Sequence, residues 1–303
     1  MMINLILEHL QTDTALQTYL AQYAGKPAVF ADVAPKESDA AWSAGSHYGQ
    51  LLLHLQLQED AAREGKNFLT AELLAESDSN IYVFMDTVRE RLDGWFFAEE
   101  RHVYSMHFSK AEQPALEKQE ETAENLQRAV ITFSVYEYPD QCLLPESPAA
   151  LLSAWSKENL PQVIGRSAYL LGYDDSLLPQ AFRPTQQKPA VYWRLAKTGK
   201  CESLAGGKGS MWRSAKVQCH VIIPGSIAEA GAMALLIEHA LLEEGRIADE
   251  ESFVIVGDTQ GLDLAQDAVQ AGQLAVEAIY PVIAAGQSSE ILQHVAVAMK
   301  ERE

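Results

Sequence analysis

The chain has 303 residues, enough for about two domains of ordinary size. Hydrophobic residues make up 48% and charged residues 21%, which supplies a packed core and excludes wholesale disorder. The 42 acids against 23 bases leave a formal charge of −19, which argues against a protein that grips the phosphates of DNA or RNA, although DNA can still pass close by without adhesion. Three cysteines, Cys142, Cys201 and Cys219, are too few and too scattered for a disulfide framework, so a reducing cytoplasm is the expected compartment. No apolar stretch reaches the ~20 residues that a bilayer requires before charge interrupts it. The opening decapeptide has no basic start and carries Glu8, so it does not read as a signal peptide. The charge is uneven, with 23 acids and 10 bases through Asp140 and 19 acids and 13 bases after it.

In chain order, Leu5, Ile6, His9 and Leu10 predict an opening helix. Ala15, Leu16, Tyr19, Leu20 and Tyr23 predict a second helical set, stopped at Gly25, Lys26 and Pro27. Ala28, Val29 and Phe30 predict a short strand, followed by a polar loop. Over 48–58, Leu51, Leu53, Leu55 and Leu57 alternate with wetter positions and predict a strand; 59–66 is a charged turn and 68–74 a weaker strand. Ser77 and Asp78 are the expected cap of a helix whose stripe is Ile81, Phe84, Met85, Val88, Leu92, Trp95 and Phe96. Residues 103–108 and 130–138 predict two more strands, joined by a charged hairpin extension or loop over 110–128. The three prolines of 139–148 mark a boundary.

The second half runs in the same order. Residues 150–160 and 163–173 predict helical stretches split at Pro161; 190–196 and 212–223 predict strands around a Gly/Lys-rich tip. Ser226 is the expected cap of a helix burying Ile227, Ala230, Ala234, Leu235, Ile237, Leu241 and Leu242, ended by Gly245. Two strands, 253–256 and 274–282, close the half. Helix, strand, strand, helix, strand, strand thus occurs twice. The expectation is an α+β protein of two similar domains, each a mainly antiparallel sheet packed against helices on one face. The expected boundaries are 1–140 for the first copy, 141–148 for a linker, 149–286 for the second copy and 287–303 for a terminal helix.

Motifs for chemistry are sparse. Cys219 and His220 are adjacent on a strand and point to opposite faces, and His102 and His107 diverge in the same way, so neither pair makes a metal site. Gly206, Gly207, Lys208, Gly209 and Ser210 lack the first glycine and the Ser/Thr of a phosphate loop and sit between strands. Asp258, Asp263 and Asp267 do not have calcium-loop spacing. No Gly-x-Ser-x-Gly elbow occurs. Catalytic residues, metals and cofactors are therefore none in this reading, and the protein is expected to work through its surfaces rather than as an enzyme.

The run from Pro189 through Val191, Tyr192, Trp193, Arg194 and Leu195, then Ala215 through Val221 to Pro224 leading into the 226–244 helix, resembles the tail terminator (tail completion) family of tailed bacteriophages. In the first half Leu16, Tyr19 and Leu20, then Val33, Ala34 and Pro35, then His47 through Leu51, and Val88 through Gly94, are similar to the same family, so the resemblance covers most of the chain as two copies. It implies a structural virion protein of the tail or neck, made in the bacterial host cytoplasm. Such a protein caps the tail tube as a homo-oligomeric ring at the head–tail junction, touching tail tube and head–tail connector proteins while DNA passes without sticking. Family members look like one domain of half this length in a six-fold ring; a fused pair could form six two-domain chains or three chains imitating six-fold symmetry. The acidic loops suggest assembly contacts at Glu59, Asp60, Glu112, Glu117, Glu120, Glu121 and Glu124, with Lys208 on the basic tip. Two other readings remain open: a cytosolic enzyme with an inter-domain site, and a transient tail-assembly chaperone.

Overall fold

A computed structural model describes residues 2–43, 47–56, 67–99, 102–118, 125–141, 147–173, 178–204, 206–207, 209–250, 252–260, 263–264, 268–269 and 271–283. The chain divides into two compact units: Met1–Pro139 with Asp175–Pro184, and Asp140–Asp174 with Thr185–Glu303.

In the first unit, α1 (Met2–Thr12) buries Met2, Ile6 and Leu10. Asp13 follows, its Oδ1 accepting from the Ala15 and Leu16 amides, and only a single 3-10 turn, Leu16–Thr18, forms where sequence periodicity extends a helix to Tyr23. Instead β1 (Gln22–Tyr23) and β2 (Lys26–Pro27) make a hairpin turned by Ala24 and Gly25, both at positive φ. Tyr23 is drawn out of helix by its partners: it lies edge-on to Phe30 and Trp42 at 5.6 and 5.0 Å, contacts that a continued helix would forgo.

β3 (Val29–Ala31) runs parallel to β4 (Gln50–Gln56), which pairs antiparallel with β5 (Asn67–Glu76). α2 (Ile81–Leu92) is capped by Asn80, whose side chain accepts from the Val83 amide, not by the expected Ser77 and Asp78. It also stops four residues short of Phe96: Gly94 takes a φ of +72° and turns the chain through Trp95 into a strand that begins at Phe96. That strand is β6 (Phe96–Glu99), followed by β7 (His102–Ala111), β8 (Ala115–Lys118) and β9 (Asn125–Tyr138). The 110–128 segment is thus a hairpin arm on its described residues, with β8 paired to β9. Both helices cover one sheet face, where Leu69, Ala71 and Leu73 meet Ile131, Phe133, Val135, Ile6, Phe84 and Val88.

In the second unit, α3 (Pro148–Val163) is one helix, not two. Pro148 occupies its first turn, where the missing N–H is not needed, and Pro161 lies in the last turn, where a proline removes a bond near the end and leaves the rest intact. Residues 169–171, expected as helix, form β10 (Tyr169–Leu171), parallel to β12 (Ala190–Lys200). Between them lies β11 (Ala181–Phe182), which pairs with β6; segment 175–184, placed in the second half by sequence, therefore belongs to the first unit. β13 (Ser210–Ile222), α4 (Ile227–Glu244), β14 (Arg246–Ala248), β15 (Phe253–Gln260) and β16 (Leu274–Ile283) complete the unit. Ser226 caps α4 through the Glu229 amide and Gly245 ends it at a φ of +61°, as the sequence suggested. The buried face differs from the expected one: Ala230, Ala234, Ile237 and Leu241 are inside with Met233, but Ile227, Leu235 and Leu242 are exposed. α4 is apolar nearly all round, so periodicity alone selects no single face. The expected terminal helix at 287–303 lies outside the described residues.

The two sheets share one plan. From the parallel edge, the first runs β3, β4, β5, β9, β7, β6 and the second β10, β12, β13, β16, β15, β14. The first pair is parallel in each and the next four are antiparallel in each. A helix precedes the first strand and another follows the third, and 18 residues join the first two strands in both units, 32–49 and 172–189. The architecture is α+β, with antiparallel-rich sheets and helices on one face of each.

Candidate assembly surfaces

Of the acids suggested by sequence, Glu59, Asp60, Glu120, Glu121 and Glu124 lie outside the described residues, as does Lys208. Glu112 is exposed beyond the end of β7, its amide bonded to the Val130 carbonyl and its carboxylate 3.8 Å from the Lys110 ammonium. Glu117 sits on β8 in register with Leu126. The structure therefore puts Glu112 and Glu117 on one arm.

A stronger charge feature escaped the sequence reading because it appears only once the hairpins are matched between units. Residues 190–222, which form β12, β13 and their tip, carry six bases and one acid, while the rest of the chain carries 17 bases and 41 acids. The equivalent hairpin of the first unit, 50–76, carries two bases and five acids. Lys197, Lys200 and Lys216 line a groove of about 660 Å³ on the second sheet, shared with Asp258 and Glu277 of β15 and β16. Lys216 and Glu277 face each other across the ladder, so the groove has a cationic half and an anionic half. Arg194, on the same hairpin, donates to Gln218 Oε1.

The groups weighed for chemistry are absorbed into structure. Cys219 faces the helix-side core, where burial pushes its thiol well above its ordinary range, and His220 points away toward Tyr192 with its Nδ1 3.0 Å from the Ala268 carbonyl. His102 meets Glu137 at 2.7 Å. His107 Nε2 lies 3.0 Å from Ser105 Oγ, but Ser105 is sealed from water and also contacts the Tyr138 hydroxyl. Ser210 Oγ accepts from the Gly207 amide, a closed turn of the hairpin tip. Among the described residues no three metal-ligating side chains gather.

Arg183 was not singled out from sequence. It follows β11 and donates to the carbonyls of Glu90, Arg91 and Asp93 at 2.5–2.8 Å, closing the C-terminal end of α2 with a cation where the helix dipole is negative. Its isolated position in sequence carries no signal of this role. Comparison with family models, curated proteins and solved structures finds no match for this chain.

Proposed function

We propose that this chain is a structural protein of a bacteriophage tail: a duplicated relative of the tail terminators that forms a ring at the end of the tail tube and lets DNA through without holding it. The observation that carries the reading is the repeated sheet plan, with the same strand order and the same parallel and antiparallel pairing in both units. Two copies of one sheet plan in one chain give alternating, similar building blocks, and blocks joined head to tail form a ring when the rotation between neighbours closes. The formal charge of −19 supports passage of DNA past an acidic wall, because like charge prevents adhesion. The chain would be made in the host cytoplasm and contact tube and connector proteins, with Glu112 and Glu117 on an arm suited to such contacts. Negative-stain microscopy of the purified protein, alone and with tube protein, tests this. Rings with a central hole are expected; a particle that stays monomeric under both conditions overturns the reading.

A further inference from the structure

The outer edge of the first sheet has an occupant. Phe96 and Ala98 turn outward from β6; Phe96 pairs with Phe182, and the Ala98 amide donates to the Gln180 carbonyl at 3.1 Å. The donor segment comes from the 18-residue connection between the first two strands of the second half. The second unit repeats this seat. The Met106 amide bonds the Trp95 carbonyl ahead of β6, and the Val256 amide bonds the Gly245 carbonyl ahead of β14. Antiparallel alternation then turns the N–H and C=O groups of Arg246 and Ala248 outward, matching Phe96 and Ala98. Among the described residues β14 has no second neighbour, and such an edge is a template for another chain.

We propose that β14 takes a strand from the 32–49 connection of a second copy of this chain, through Val33, Ala34 and Pro35. The Val33 and Pro35 carbonyls accept from the outward N–H groups of Ala248 and Arg246, as the Gln180 carbonyl accepts from the Ala98 amide; Pro35 has no N–H to return. This connection leaves the first unit from the position and with the length of the known donor. Its positional counterpart of β11, Ala41 and Trp42, is held at home: the Ala41 carbonyl accepts from Ala24 and Trp42 bridges Tyr23. Ahead of it the Val33 amide donates to the Ala31 carbonyl, and the Lys36 carbonyl accepts from the Asp39 amide and the Trp42 indole. Val33 itself is 76% exposed just after Asp32 leaves β3 at a φ of +60°, and this stretch offers the Val33 and Pro35 carbonyls as acceptors only. Charge favours the same pairing. α2 ends with Arg89 and Arg91 and receives Arg183, whereas α4 ends with Glu243 and Glu244 and no base in its last turn. Lys36 is exposed and supplies the missing cation there. The proposal rests on the ring reading only in taking the partner to be a second copy; each chain then offers one donor and one acceptor, a contact that repeats head to tail.

Hydrogen exchange of peptides covering 244–250, read on the native protein from dilute to concentrated solution, tests the proposal. Protection that rises with concentration is expected. Protection that persists in samples which light scattering shows to be monomeric means that the chain covers its own edge and overturns the proposal, as does exchange that is unprotected in the oligomer. Ala248→Pro removes an outward N–H and spares the ladder to β15. This variant is expected to keep its circular dichroism spectrum and lose its oligomeric mass by light scattering, and Lys36→Glu is expected to weaken association at least tenfold. Oligomers unchanged in both variants overturn the strand pairing and leave the ring reading standing. A native chain that is monomeric at every concentration overturns the strand pairing, and one that stays monomeric with tube protein as well overturns both.

Discussion

Trp193 Nε1 donates to the Ser156 hydroxyl at 2.8 Å, fastening β12 to α3 inside the second unit, with both residues almost wholly shielded from water. A buried indole N–H that loses its acceptor pays its desolvation in full. Ser156→Ala is therefore expected to destabilise the second unit by about 1–3 kcal/mol, an effect out of proportion to one hydroxyl. Urea denaturation followed by tryptophan fluorescence measures it, and a loss below a few tenths of a kcal/mol would show that the indole finds another partner.

Gly49 is the clearest backbone requirement in the first unit. Its φ is +94°, and a Cβ there would stand 2.2 Å from the Tyr19 carbonyl oxygen, while its own carbonyl accepts from the Ala21 amide. Gly49→Ala combines strain with a backbone clash and is expected to cost more than the ~1 kcal/mol of an ordinary glycine substitution at positive φ. A midpoint shift confined to the first unit, with the second unit unchanged, is the result to seek.

His9 stacks on Trp95 at 4.1 Å and lies 3.3 Å from the Arg91 carbonyl. Burial lowers its pKa below 6.5, so the folded chain prefers the neutral ring. The unfolded chain binds the proton first as pH falls, so this residue's contribution is complete above pH 6.5 and shrinks as the pH drops below it. Stability of the first unit is expected to decline between pH 7.5 and 5.5, and His9→Phe, which keeps the stack and removes the titration, should flatten that slope.

Glu72 and Arg128 make a two-pronged pair, at 2.8 and 2.9 Å, on the sheet face away from the helices. The guanidinium holds the Glu72 carboxyl below its usual range. A depressed carboxylate stabilises the fold above its unfolded pKa near 4.5 and loses that contribution as pH falls through the folded value. Partial exposure keeps the effect small. Denaturation midpoints of wild type and Glu72→Gln are expected to differ at pH 6 and to converge in acid.

The acidic arm carries the prediction most closely tied to assembly. Replacing Glu112, Glu117, Glu120, Glu121 and Glu124 together by glutamine should leave the circular dichroism spectrum intact and reduce ring formation. Rings formed at wild-type yield would remove these residues from the contact.

Long, two-faced elements were legible before any coordinates. β9 and β13 are long enough for their patterning to show, β5 reads only as a weaker strand over 68–74, and α4 carries a serine at one end and a glycine at the other. The short edges were not: β6, β10 and β14 span three or four residues, too few for a period to emerge. Tyr23 and Tyr169 show the other source of error, because each falls in a helix-like apolar spacing yet takes extended backbone once a neighbouring strand or ring offers itself. Surface function was less legible still. The acids of 110–128 are plain in sequence, but the contrast between the basic 190–222 hairpin and its acidic counterpart needs the matched topology, and Arg183 needs the end of α2 beside it.

The return of residues 175–184 to the first unit has a consequence for biosynthesis. A nascent chain that has emerged as far as Pro139 possesses every other strand of the first sheet but not β11, so one flank stays bare while residues 140–174 are still being translated. The first unit is completed only after α3 and β10 of the second unit have left the ribosome, and a gene fragment ending at Pro139 would encode a body with an open, adhesive side.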